Sequence, residues 1–196
     1  MMKLAIILTI LLPLNSFAET KASNAALNIL GKEMTLEQLG TEPEKKIRSV
    51  IMAQLWKELS KEHGITANAD EIAGLKKFFD NAIGEAVSQS ADKLINKFEM
   101  PEVFVEEQII RWKIDKVLFD KYGGRVRFQQ TGPEPLDAYK AFLKEQEANN
   151  SFSINDAKLK EAFWAYFEPE STHHFYPDEV GKEIMSKPMW EHSKSF

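Results

Sequence analysis

Between Thr41 and Gly124 the chain is punctuated for three long helices, and that punctuation limits the fold more than any other feature. Thr41 and Glu44, with Pro43 in the first turn, read as a capping box. The helix they open is expected to reach His63, with Gly64 as its left-handed stop. Its buried stripe is Ile47, Ile51 and Leu55, flanked by Val50 and Leu59. Asn68 with Glu71 caps a second helix, on which Ile72, Leu75, Phe79, Ile83, Val87, Leu94 and Phe98 keep helical spacing across 69–98. Gly74 and Gly84 weaken it, and Ser88-Gln89-Ser90 is a point where it can break. Pro101 starts a third helix over 101–122, ended by Gly123-Gly124. Its main stripe reads as Val103, Ile110, Ile114 and Val117, while Val105, Trp112 and Phe119 recur on the opposite side. A helix apolar on two faces is expected to lie between other elements.

The flanking segments are shorter. Ala25–Thr35 reads as two extended pieces around a Gly31-Lys32 turn, and Thr35 with Gln38 as a one-turn helix start. Arg125–Gln130 alternates like a short strand, with Val126 and Phe128 on one face, and Thr131–Pro135 is a rigid loop. Leu136–Glu147 is an amphipathic helix carrying Leu136, Tyr139, Phe142 and Leu143. Ser151–Ile154 is an extended piece that can pair with 125–130. Asn155 reads as the cap of a helix with Leu159, Phe163 and Phe167, and a short helix is expected at 178–186. The fold class is therefore mainly α, built of long amphipathic helices with a small β-hairpin-like element.

Met1–Ala18 has the three parts of a secretory signal: Lys3, an apolar run from Leu4 to Leu14, and Ser16-Phe17-Ala18 before an expected cleavage at Glu19. Residues 19–24 read as a flexible polar leader. The expected location is the periplasm, with no integral membrane segment after cleavage. The chain holds 25 Lys and Arg against 30 Asp and Glu, a net charge of −5, which loss of Lys3 makes one more negative. That argues against nucleic acid, which demands concentrated basic charge. With no cysteine, a disulfide framework, a lipidated cysteine, Cys-ligated zinc and a thiol nucleophile are excluded. The chain must rely on its core.

Chemistry-bearing motifs are sparse. Serine-hydrolase elbows, phosphate loops and dinucleotide fingerprints are absent. His173-His174, with Asp178, Glu179, Glu191 and His192 nearby, is the nearest approach to a metal site, but adjacent histidines diverge and zinc needs converging ligands. No metal, cofactor or catalytic residue is assigned. Candidate polypeptide-binding residues are Met52 and Trp56 on the first long helix, Trp112 and Phe119 on the third, and Arg125 and Arg127 beyond it. The aromatics lie off the main stripes, where they either line a groove or pack against 125–190. The arginines, with Gln129 and Gln130, either form a polar binding edge or serve the local structure.

Taken together, Asn28–Thr35, the run LWKELSKEHGITANADEI at 55–72 and VEEQIIRWKIDKVLFDKY at 105–122 resemble the N-terminal module of SurA-type periplasmic chaperones. The resemblance covers residues 25–122 and implies a helical cradle that holds extended or unfolded polypeptide. Residues 123–196 form a helical C-terminal extension with short strands packed on that module. Nothing in them reads as a parvulin-type prolyl isomerase domain, so no isomerase activity is expected. The expected function is a non-catalytic periplasmic polypeptide-binding protein, a chaperone or assembly factor for exported proteins. The alternative is a dedicated interaction protein, an inhibitor or accessory subunit of an envelope or secretion complex. A third possibility, an enzyme using His173 and His174, ranks last. The expected partner is accordingly either unfolded or extended polypeptide, or one dedicated protein.

Overall fold

A computed structural model describes residues 25–89, 100–129, 132–168 and 174–191, with side chains throughout except at 82–89. The expected signal segment and leader, with Leu94, Phe98, Gln130, His173 and His192, lie outside the described residues. The chain is mainly helical with a small three-stranded antiparallel sheet. No helix among the described residues is long and apolar enough to cross a membrane.

The chain enters through a hairpin of β1 (Leu27–Ile29) and β2 (Lys32–Met34). Leu30 and Gly31 both adopt positive φ, 51° and 78°, which is the mirror-image turn whose twist suits a two-residue hairpin. Asn28 Oδ1 accepts from the Gly31 N–H and steadies it. Thr35 and Gln38 then form the expected reciprocal capping box over α1 (Leu36–Leu39).

Helix α2 (Pro43–Glu62) buries Ile47, Ile51, Leu55 and Leu59, and Gly64 follows at φ +60°. Its start departs from the sequence reading. Glu42, not Thr41, occupies the cap position, left-handed at φ 58° and with no side-chain capping bond. Pro43 holds the first helical position, which makes Glu42 the cap residue and leaves Thr41 one position outside the helix. Glu44 pairs instead with Lys158 across to a later helix.

Asn68 and Glu71 cap α3 (Ala69–Gln89) reciprocally, as their spacing implies. Helix α4 (Glu102–Tyr122) is buried on two sides, but its stripes are rotated from the expected ones. Ile114 and Leu118 enter the main core, whereas Val105 and Ile109 form a second cluster with Leu75 of α3. Val103, assigned to the main stripe, is 66 % exposed. Because α4 carries apolar residues on most of its faces, spacing alone does not select the buried ones.

Helix α5 (Leu136–Ala148) leads through Asn149 and Asn150 into β3 (Phe152–Ile154), which pairs with β1 and not with the described residues 125–129 of the expected partner segment. The register places Phe152 opposite Ile29 and Ile154 opposite Leu27, so both strands turn these apolar residues to the core. Residues 125–129 form no strand. Arg127 makes isolated bridges to Glu134 and Phe175, Val126 is buried, and Phe128 is 51 % exposed, so the two do not share a buried face.

Helix α6 (Ala157–Ala165) is capped by Asp156, one residue past the expected Asn155, whose Nδ2 instead donates to the Ala25 carbonyl. Helix α7 (Asp178–Ser186) and a 3-10 turn at Met189–Glu191 complete the described chain. One core takes Leu27, Ile51 and Ile114 from the first part, with Tyr139, Phe152 and Phe163 from the second.

Candidate binding groove

The i, i+4 row Arg48, Met52, Trp56 and Ser60 runs along one flank of α2, beside the buried stripe. Across from it α4 presents Glu107, Ile110, Arg111 and Ile114. Between the two helices lies a cavity of about 770 Å³, within the range of sites that hold ligands, about 300–1,000 Å³. Its apolar surface comes from Met52, Trp56, Ile110 and Ile114, and one end is closed by Gln129, Glu134 and Tyr166. Trp56 is half-buried, its ring set edge-on against Tyr139 and Phe142 at 5.1 and 5.6 Å. The core thus holds the indole in a fixed pose at the groove.

The closed end is a buried polar network. Arg127 and Glu134 pair at 2.5 Å with almost no exposure, and antiparallel backbone bonds join the same two residues. The Tyr166 hydroxyl accepts from Arg127 and Gln129 and meets both Glu134 oxygens at 3.2 Å. Burial raises the Tyr166 pKa, so the hydroxyl stays protonated as a donor. Over its ring lies the Arg48 guanidinium, 3.4 Å from the centroid. Breaking the Arg127–Glu134 pair would leave a buried charge alone, at a cost of about 3–5 kcal/mol.

Beneath Arg111 sits Asp115, buried on α4, with the Tyr139 hydroxyl donating to its Oδ1. Arg111 Nε stands 3.9 Å from the other oxygen. Burial outweighs both partners and pushes the carboxyl pKa up to about 7. A carboxyl so perturbed near a cleft has the profile of a general acid or base. Asp115 does not line the cavity, however, whereas its neighbour Arg111 does. Its position makes it a support for Arg111 and not a group that meets a bound molecule.

The structure brings together only part of the expected site. Met52 and Trp56 line the groove. Trp112 faces elsewhere: its ring packs against Trp190 at 5.8 Å, and it borders a smaller cleft of about 340 Å³ beside His63–Thr66. Phe119 is half-buried and lines neither cavity. Arg125 is held by Asp137, which accepts from both its backbone N–H and its Nε at 2.9 Å. Arg127 belongs to the buried pair, so the two arginines serve local structure and offer no open polar edge. His174 is exposed, and no three metal-ligating side chains converge among the described residues.

Sequence reasoning passed over Arg48, Lys57, Arg111 and Tyr166, and read the Glu106-Glu107 pair only as solvated helix surface. The signal for Arg48 was present, since it stands four residues before Met52 and eight before Trp56. Tyr166 carried none, because the chain brings it to the groove only through the packing of α6 on α2. Comparison with family models, with curated proteins and with solved structures finds no match to this chain.

Proposed function

We propose that this chain is a periplasmic, non-catalytic polypeptide-binding protein, a chaperone or assembly factor for exported proteins, working through the α2–α4 groove. The observation that carries the reading is the half-buried Trp56 beside Met52 on the wall of a large cavity whose ends are polar. An apolar side chain of a bound segment gains about 25 cal/mol per Å² it buries there. Ser49, Ser60, Gln129 and the rim charges offer hydrogen-bond partners to its backbone. The likeness of 25–122 to the SurA-type module supports the same reading from the sequence side.

Ala53 provides the test, because it lines the groove yet is exposed, so a larger side chain there obstructs the site without entering the core. The wild type is expected to slow aggregation of several unrelated denatured proteins, and Ala53→Glu to abolish this while unfolding at the same temperature. A wild-type protein that protects none of them defeats the chaperone reading. Co-purification of one stoichiometric partner, lost in Ala53→Glu, would point to the dedicated interaction protein instead. Export is checked separately, by the mass of the mature protein, expected to begin at Glu19.

A further inference from the structure

We propose that the groove selects extended segments in which an apolar side chain is flanked on both sides by acidic ones. This rests on reading the groove as a polypeptide site and names the chemistry of what it accepts.

The charges around the groove carry the argument. Arg48, Lys57 and Arg111 line it, against Glu107 and Glu134. Glu134 is spent on Arg127, both side chains being under a tenth exposed. Neither Arg48 nor Lys57 meets a carboxylate among the described residues. Arg48 lies with its face over the Tyr166 ring, an arrangement that does not use its N–H fork. Arg111 shares Asp115 only at 3.9 Å. The groove is therefore cationic in a chain whose net charge is −5, a local reversal that focuses the field on acidic groups.

Spacing narrows the ligand. Arg48 and Lys57 stand nine residues apart on α2, two and a half turns, so they flank the lining face from opposite edges with an offset of about 13–14 Å along the axis. An extended chain laid along the groove turns alternate side chains to the same side, so acidic residues on both sides of a seated apolar one can approach the two cations. Met52 and Trp56 occupy the stretch of α2 between the two cations, where the apolar side chain would seat. A lone C-terminal carboxylate would reach only one of the two positions.

Short labelled peptides carrying Glu-Ser-Phe-Ser-Glu, the same with both acids as Gln, and the same with both as Lys test this by fluorescence anisotropy. The Glu peptide is expected to bind best. The Gln peptide should be weaker by about threefold for each charge lost, and the Lys peptide weaker still. Added salt should narrow the differences. Lys57→Glu and Arg48→Gln should each bring the Glu and Gln peptides closer together in affinity, with thermal unfolding reporting that the fold is kept. Equal binding of Glu and Gln peptides by the wild type overturns the inference and leaves the polypeptide reading standing. So does binding that vanishes when only the C-terminal carboxylate is amidated. If no peptide binds and the wild type also fails to protect denatured proteins, both proposals fall.

Discussion

Asp115→Asn should make the protein more stable at neutral and alkaline pH, although it removes a charge four residues from an arginine. The native carboxyl titrates near 7, against 3.8 for the free side chain. At ~1.4 kcal/mol per pH unit, that interval corresponds to about 4 kcal/mol. Between the two values the folded chain keeps a proton that the unfolded chain has released. Wild-type stability from this group therefore falls as pH rises from about 4 to 7 and levels off above. Asparagine is never charged, yet still offers Oδ1 to the Tyr139 hydroxyl, so it escapes the loss. Its own cost is the Arg111 contact, which at 3.9 Å to a half-exposed guanidinium is worth up to ~1 kcal/mol. Urea unfolding of both proteins from about pH 4 to about pH 8 gives a difference curve in which the other titrating groups cancel. The advantage of Asn is expected to grow across that window by several kcal/mol. A flat difference, or one in which the wild type gains as pH rises, would mean that Arg111 holds the carboxylate ionised despite its burial.

Phe163 is fully buried against Phe152 and Phe167, and Phe163→Ala should cost about 3–5 kcal/mol in denaturant unfolding; a loss under about 1 kcal/mol would contradict the shared core. Gly124→Ala places a Cβ 2.4 Å from that of Asp137 at a φ of +94°, so it should lower stability by about 1–3 kcal/mol and speed hydrogen exchange at the Arg125 amide. Trp112→Ala should lower the unfolding temperature while leaving polypeptide binding intact, because its ring packs on Trp190 away from the groove. Binding lost in step with Ala53→Glu would place the site on the other side of α4.

Helix positions were legible wherever a local device sets them. Pro43, Gly64, Pro101 and Gly123 act within one turn, as do the Thr35–Gln38 and Asn68–Glu71 boxes, and all appear near their expected places. The apolar rows of α2, α5 and α6 were equally plain, each having one oily face. Reading failed where a choice depended on distant chain. The buried faces of α4 are decided by what packs on each side, and its spacing admits several answers. The partner of β3 was misread because 152–154 and 125–130 both alternate, and only the packed molecule shows that β1 takes the pairing. The same limit governs the groove. Met52 and Trp56 stood out beside a clear stripe, whereas Tyr166 and the buried Arg127–Glu134 pair come from loops and helix ends more than sixty residues further on.

The place of β1 between β2 and β3 sets an order on assembly. Its first neighbour, β2, is joined by a two-residue turn and is available as soon as the hairpin has been made. Its second neighbour lies past α5, so β1 keeps an open edge until Phe152–Ile154 arrives. For a chain that emerges N-terminus first, most of the helical part is out before that edge is closed. Long-range pairing of this kind is slow, and an unpaired strand edge is a template for other chains. β1 is short and β2 is polar, which limits what can add to the sheet in the interval. A chain cut before Ser151 would therefore lack the strand that joins the hairpin and the first helices into one core.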